Sequence, residues 1–130
     1  MKHVLFFTFL SVLLMGCGKI STPNETSKKL FGKWRYVSSS GGFSGTGVSG
    51  YDASDTYEYT ENGTFSHRKG GQLIDQMSFS INTGTSIISM SQVNMVNYSA
   101  GLTQSILITN DTLVLSDEVY DGFQYVLIRI

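Results

Sequence analysis

The chain has 130 residues, a formal net charge of −1 and a single cysteine. This is room for one domain, with no excess of cationic side chains to form an electrostatic footprint for nucleic acid and no possible intrachain disulfide. Glycine, tyrosine and phenylalanine are abundant, proline occurs once, and no window carries a sustained apolar stripe at helical spacing, so the composition reads as an all-β domain.

The first element is not part of that domain. "MKH" is a short basic start, and "VLFFTFLSVLLM" is an apolar run of about a dozen residues, the length of a signal-peptide core. It is shorter than the ~20 residues a membrane-spanning helix needs. The run ends in Leu14-Met15-Gly16-Cys17, which resembles the lipobox of bacterial lipoproteins, with Met15 bulkier than the usual residue at its place. An ordinary secretory peptide with an incidental cysteine is the alternative, but it leaves a lone exported thiol at the cleavage position unexplained. The resemblance implies that residues 1–16 are removed and that Cys17 is lipidated and opens the mature chain. The membrane is then a partner through Cys17, held by more than one acyl chain as stable anchoring requires.

Residue two of such a mature chain is Gly18 rather than Asp, which by the rules of that family implies passage to the outer membrane of a Gram-negative bacterium. No acidic cluster follows the cysteine, so the expected orientation faces the periplasm. "GKISTPNETSKK", Gly18 to Lys29, is polar and aperiodic and completes a lipidated and flexible tether over residues 17–29.

From residue 30 to residue 130 the pattern predicts strand after strand. "KWRYVSS" is the first, followed by a Gly/Ser-rich loop from Ser39 to Gly50. "DTYEY" and "TFSHR" flank "TENG". A two-residue turn at Asn62-Gly63 would pair Tyr59 with Ser66 and set Phe65 opposite Thr60. A three-residue loop with Gly63 in the left-handed conformation pairs Tyr59 with Phe65 and Tyr57 with His67, and is preferred because it gathers the aromatics on one face. "DQMSFSIN" places Met77, Phe79 and Ile81 on one face and Gln76, Ser78 and Ser80 on the other. "TSIISMS" and "VNMVNYS" read as further strands. "QSILIT" and "TLVLSD" form a hairpin at Asn110-Asp111 that sets Ile108 opposite Leu113 and Ile106 opposite Leu115. After a turn at Asp121-Gly122, "FQYVLIRI" closes the chain. The expected architecture is an up-and-down antiparallel barrel of about eight strands, because closure removes the two exposed edges of an open meander.

The order of motifs carries a second resemblance. "LFGKW", "YEYTENGTF", "ILITNDTLVL" and "YVLIR" follow one another from Leu30 to the C-terminus. The chain thereby resembles the small lipocalin-like domain of bacterial lipoproteins, from which Ile108 and the long Gly/Ser loop depart. The resemblance implies that Trp34 plugs the closed end of the barrel, that Arg129 of the last strand lies across its ring, and that Gly32 lets the backbone approach closely. These three residues are assigned to barrel closure.

No catalytic residue is assigned. His67 is the only histidine after the leader, and neither a nucleophile elbow nor a phosphate loop is present. No metal and no cofactor are expected: the Cys/His ligands are too few for zinc, and Asp52, Asp55 and Glu58, or Asp117, Glu118 and Asp121, lack calcium-loop spacing and read as solvated turns. Tyr57, Tyr59, Phe65, His67, Met77, Phe79 and Ile81 are the candidate interior, able to serve as plain core or as a cavity wall. Two functions follow. One is a membrane-anchored binder of a small hydrophobic or amphipathic molecule in the cell envelope. The other is a filled barrel without ligand that engages an envelope protein or glycan through loops such as Ser39 to Tyr51.

Overall fold

A computed structural model describes residues 25–130; the leader, Cys17 and most of the tether lie outside the described residues. Eight antiparallel strands form a closed barrel in which each pairs with the next in sequence and the last pairs with the first. They are β1 (Gly32–Gly41), β2 (Asp55–Tyr59), β3 (Thr64–Lys69), β4 (Gln72–Thr85), β5 (Gln92–Tyr98), β6 (Thr103–Thr109), β7 (Thr112–Asp117) and β8 (Phe123–Arg129). The up-and-down barrel expected from the sequence is therefore the fold.

The hairpin registers follow from their turns. Gly63 has φ +82°, and the β2–β3 ladder pairs Tyr59 with Phe65 and Tyr57 with His67. Asn110 has φ +52°, and β6–β7 pairs Ile108 with Leu113 and Ile106 with Leu115. Along β4, Met77, Phe79 and Ile81 are half-buried while Ser78, Ser80 and Asn82 are exposed.

Two expectations are corrected. Residues 25–29, read as tether, begin a short helix, α1 (Glu25–Leu30), whose Ser27 and Leu30 are buried. A single turn cannot show helical periodicity in sequence, and the burial of Leu30 against the barrel end supplies the stability that so short a helix lacks alone. "TSIISMS", read as a strand, is a turn between β4 and β5. There the buried Ser86 hydroxyl accepts from the N–H groups of Ile88 and Ser89, both at 3.1 Å, and so competes with a strand ladder. Glu118 pins the same turn, accepting from Ser86 Oγ at 3.0 Å and from the Ile87 N–H at 2.9 Å. The apolar side chains that suggested a strand, Ile87, Ile88 and Met90, are left exposed.

One half of the barrel is packed solid. Leu30, Trp34, Tyr59, Val96, Leu113, Leu115 and Leu127 are each at most 1% exposed and form one cluster. Leu30 reaches it from α1, so the helix stoppers that end and the remaining space lies toward the other mouth.

Candidate functional site

The stoppered end is built on Trp34. Its Nε1–H donates to Leu30 O at 2.8 Å, which satisfies the indole and ties β1 to the end of α1. The Arg129 guanidinium carbon lies 4.1 Å from the centre of the indole ring. Its Nη1 donates to Phe31 O at 3.0 Å and its Nη2 to Lys29 O. Gly32, at φ +124°, sits where an added Cβ would come within 2.8 Å of Arg129 Nη1. Only glycine meets both the backbone angle and the guanidinium there.

Above the packed cluster lies a cavity of about 150 Å³. Of the seven candidate interior residues, Tyr57, Phe65, His67 and Met77 line it. Tyr59 lies in the packed cluster instead, and Phe79 and Ile81 border a shallow groove beside Ser27 and Phe31 of the N-terminal segment. The rest of the wall comes from residues the sequence reading did not single out: Tyr51 from the β1–β2 loop, Tyr98 of β5, Gln104 of β6 and Tyr125 of β8. Asp75 and Leu102, both exposed, stand at the opening.

Behind His67 lies a charged cluster. Asp55 is 1% exposed, and its Oδ1 is 2.7 Å from His67 Nε2. Its Oδ2 accepts from the Asp52 N–H at 2.7 Å and from Lys69 Nζ at 3.0 Å. Burial alone would raise the Asp55 carboxyl, but the Asp52 N–H, His67 and Lys69 outweigh it and hold the group below its ordinary value. An ionised carboxylate only accepts, so His67 Nε2 carries the proton in this bond. Asp52 is held at about 2 by the hydroxyl and N–H of Ser54, with Lys69 adding to the effect. The Lys69 ammonium is stabilised in turn by Asp55 and Asp52. Tyr51 closes over the imidazole, stacked at 5.3 Å and 9°, and Tyr57 meets it edge-on at 5.1 Å.

The sequence did contain a signal for Asp55. The register that pairs Tyr57 with His67 also pairs Asp55 with Lys69 and puts Asp55 on the inward face with Tyr57 and Tyr59. Grouping Asp55 with Asp52 and Glu58 as a solvated turn overlooked that consequence.

A polar relay crosses the opposite wall. Tyr98 donates to Gln104 Oε1 at 3.0 Å, so the 2.6 Å contact between Tyr59 and Tyr98 has Tyr59 as donor. Gln104 Nε2 donates to Asp117 Oδ1 at 2.8 Å, and Asp117 Oδ2 accepts from the Phe123 N–H at 3.0 Å. Burial raises the hydroxyls of Tyr57, Tyr59, Tyr98 and Tyr125. Tyr125, the least enclosed of them, is pushed up to about 12, with the Asp117 charge as the next cause. Every one of them is a neutral hydroxyl at physiological pH, able to donate and accept. No family model and no curated protein matches this sequence.

Proposed function

We propose that the barrel is a binding protein for a small molecule about one ring in size, carried on a lipid-anchored chain of the bacterial cell envelope. The observation that carries the binding half is the cavity of about 150 Å³ between the packed cluster and the Asp75–Leu102 opening, walled by aromatic rings and a few convergent polar groups. Drug-sized ligands occupy ~300–1,000 Å³, whereas an engineered apolar cavity of ~150 Å³ takes benzene. A long acyl chain is therefore too large to be enclosed, which favours a compact ligand over a general amphipath. The support for the anchoring half is the Leu14-Met15-Gly16-Cys17 run behind an apolar leader. The closed β-barrel is compatible with the lipocalin-like reading of the motifs.

The small volume also favours a second reading, a filled barrel that serves as an interaction module for an envelope protein or glycan. Methyl NMR of the full chain in micelles separates the two. Titration with single-ring fragments shifts the Met77 and Leu102 methyl signals saturably if the cavity is a site, while a palmitate probe leaves them unmoved. No fragment shift at millimolar concentration favours the filled barrel. Palmitate binding at Met77 contradicts the size argument. For the anchor, Cys17→Ser abolishes acylation and membrane retention; a variant still membrane-bound and cleaved at the same place contradicts lipidation.

A further inference from the structure

The cavity wall has a chemical bias. Five aromatic rings line it, from Tyr51, Tyr57, Phe65, Tyr98 and Tyr125, together with the polarisable thioether of Met77. Neighbouring rings stand at steep angles, with Tyr57 to Phe65 at 82°, Phe65 to Tyr98 at 68° and Tyr51 to Tyr125 at 54°. These rings meet edge-on or tilted, while Tyr51 lies flat only against His67. Asp75 is the only carboxylate in the lining, which includes neither lysine nor arginine. Asp117 lies one hydrogen bond behind Gln104. Behind His67, two carboxylates, Asp52 and Asp55, face the single ammonium of Lys69.

We infer that the cavity selects a small organic cation, a compact ammonium group held among aromatic rings with the Asp75 carboxylate at its entrance. This rests on the binding reading above and names the ligand class for the same cavity. Ring faces carry the negative part of the aromatic quadrupole and attract ammonium groups, most strongly once water is excluded. Met77 adds a soft contact for N-methyl groups. The field has the same sign: the Asp117 charge acts on Tyr125 and Tyr98, raising both after burial has done so. An anion would need charge-assisted donors; neither Arg nor Lys lines this wall, and the Nε2–H of its one histidine, His67, is already held by Asp55.

The test titrates the full chain in micelles with tetramethylammonium, with tert-butanol as a neutral probe of similar shape, and with benzyl alcohol as a neutral ring. Binding is read from the Met77 methyl signal and by calorimetry. Tetramethylammonium is expected to saturate at a concentration at least about tenfold below either neutral probe, which corresponds to ~1.4 kcal/mol. Tyr125→Leu is expected to weaken the cation about tenfold. Asp75→Asn, at an exposed position outside the core, is expected to weaken it severalfold, with a smaller effect in high salt. If a neutral probe binds as tightly as the cation, or if Asp75→Asn changes nothing, the cation inference is overturned and the binding reading stands. If none of the probes moves Met77, the cavity is not a site, and both are overturned.

Discussion

Removing the buried carboxylate of Asp55 tests the description of the site through stability. In Asp55→Ala the His67 Nε2–H and the Asp52 N–H lose their acceptor together. The His67 side chain is only 11% exposed, so water replaces that bond poorly. The buried His67 donor left without a partner costs ~1–3 kcal/mol, and the lost bond to the Asp52 N–H, at a more exposed residue, adds ~1 kcal/mol. Lys69 adds little, because its side chain is 37% exposed and swings into solvent. The expected loss is about 2–4 kcal/mol, a large share of the ~5–15 kcal/mol that holds a domain together. At ~4–8 °C per kcal/mol for a barrel of this size, the midpoint falls by at least about 8 °C. Circular dichroism melts of the full chain at pH 7 measure it, with Lys69→Met as the control expected to cost about 1 kcal/mol or less. A melt for Asp55→Ala within about 3 °C of the parent, or a Lys69→Met loss as large as that of Asp55→Ala, refutes the reasoning. The sign with pH is also fixed. The Asp55 carboxyl is depressed in the folded state, so its contribution is complete above the unfolded value of ~3.9 and is lost as pH falls through the lower folded value. The parent therefore loses stability on acidification below about pH 4, and the variant loses less.

Three further outcomes are expected. Trp34→Phe forfeits the bond to Leu30 O and much of the contact with Arg129, and should lower stability by about 2–3 kcal/mol in urea titrations, with faster amide exchange at the end of α1; an unchanged midpoint contradicts its role in closure. Glu118→Ala releases the turn after β4, so amide exchange at Ile87 should rise at least tenfold while exchange in β7 stays the same; equal protection in both proteins contradicts the pin. Carboxyl NMR should place the Asp52 titration near 2, and Ser54→Ala should move it upward, since Ser54 is the leading cause; a midpoint near the ordinary value in the parent contradicts the Asp52–Ser54 geometry.

What was legible in the sequence and what was not divide along physical lines. Hairpin registers were legible because only the three-residue loop at Gly63 gathers Tyr57, Tyr59 and Phe65 on one face, because Asn110-Asp111 fits a two-residue turn, and because a one-residue slip would reverse every side chain of β2 or β6. The alternation of β4 at Met77, Phe79 and Ile81 was legible for the same reason, although it sets only the face and not the depth. Depth depends on how strands tilt around the barrel, and that separated Met77, which lines the cavity, from Phe79 and Ile81, which do not. Tyr98, Gln104 and Tyr125 come from β5, β6 and β8 and meet only when the barrel closes, so no local spacing announces them. The turn at Ser86 was missed because Ile87, Ile88 and Met90 mimic a strand, while the group that decides the conformation, Glu118, is distant in sequence.

The cavity of about 150 Å³ is expected to hold a compact ligand in the cell. Native mass spectrometry of the chain extracted from its own host in mild detergent tests it most directly, beside a Met77→Trp variant whose indole fills the space. The parent is expected to carry a small added mass that leaves on denaturation and is missing from Met77→Trp. A parent carrying no added mass under conditions that preserve the fold, or a long-chain lipid held equally by both proteins, would contradict it.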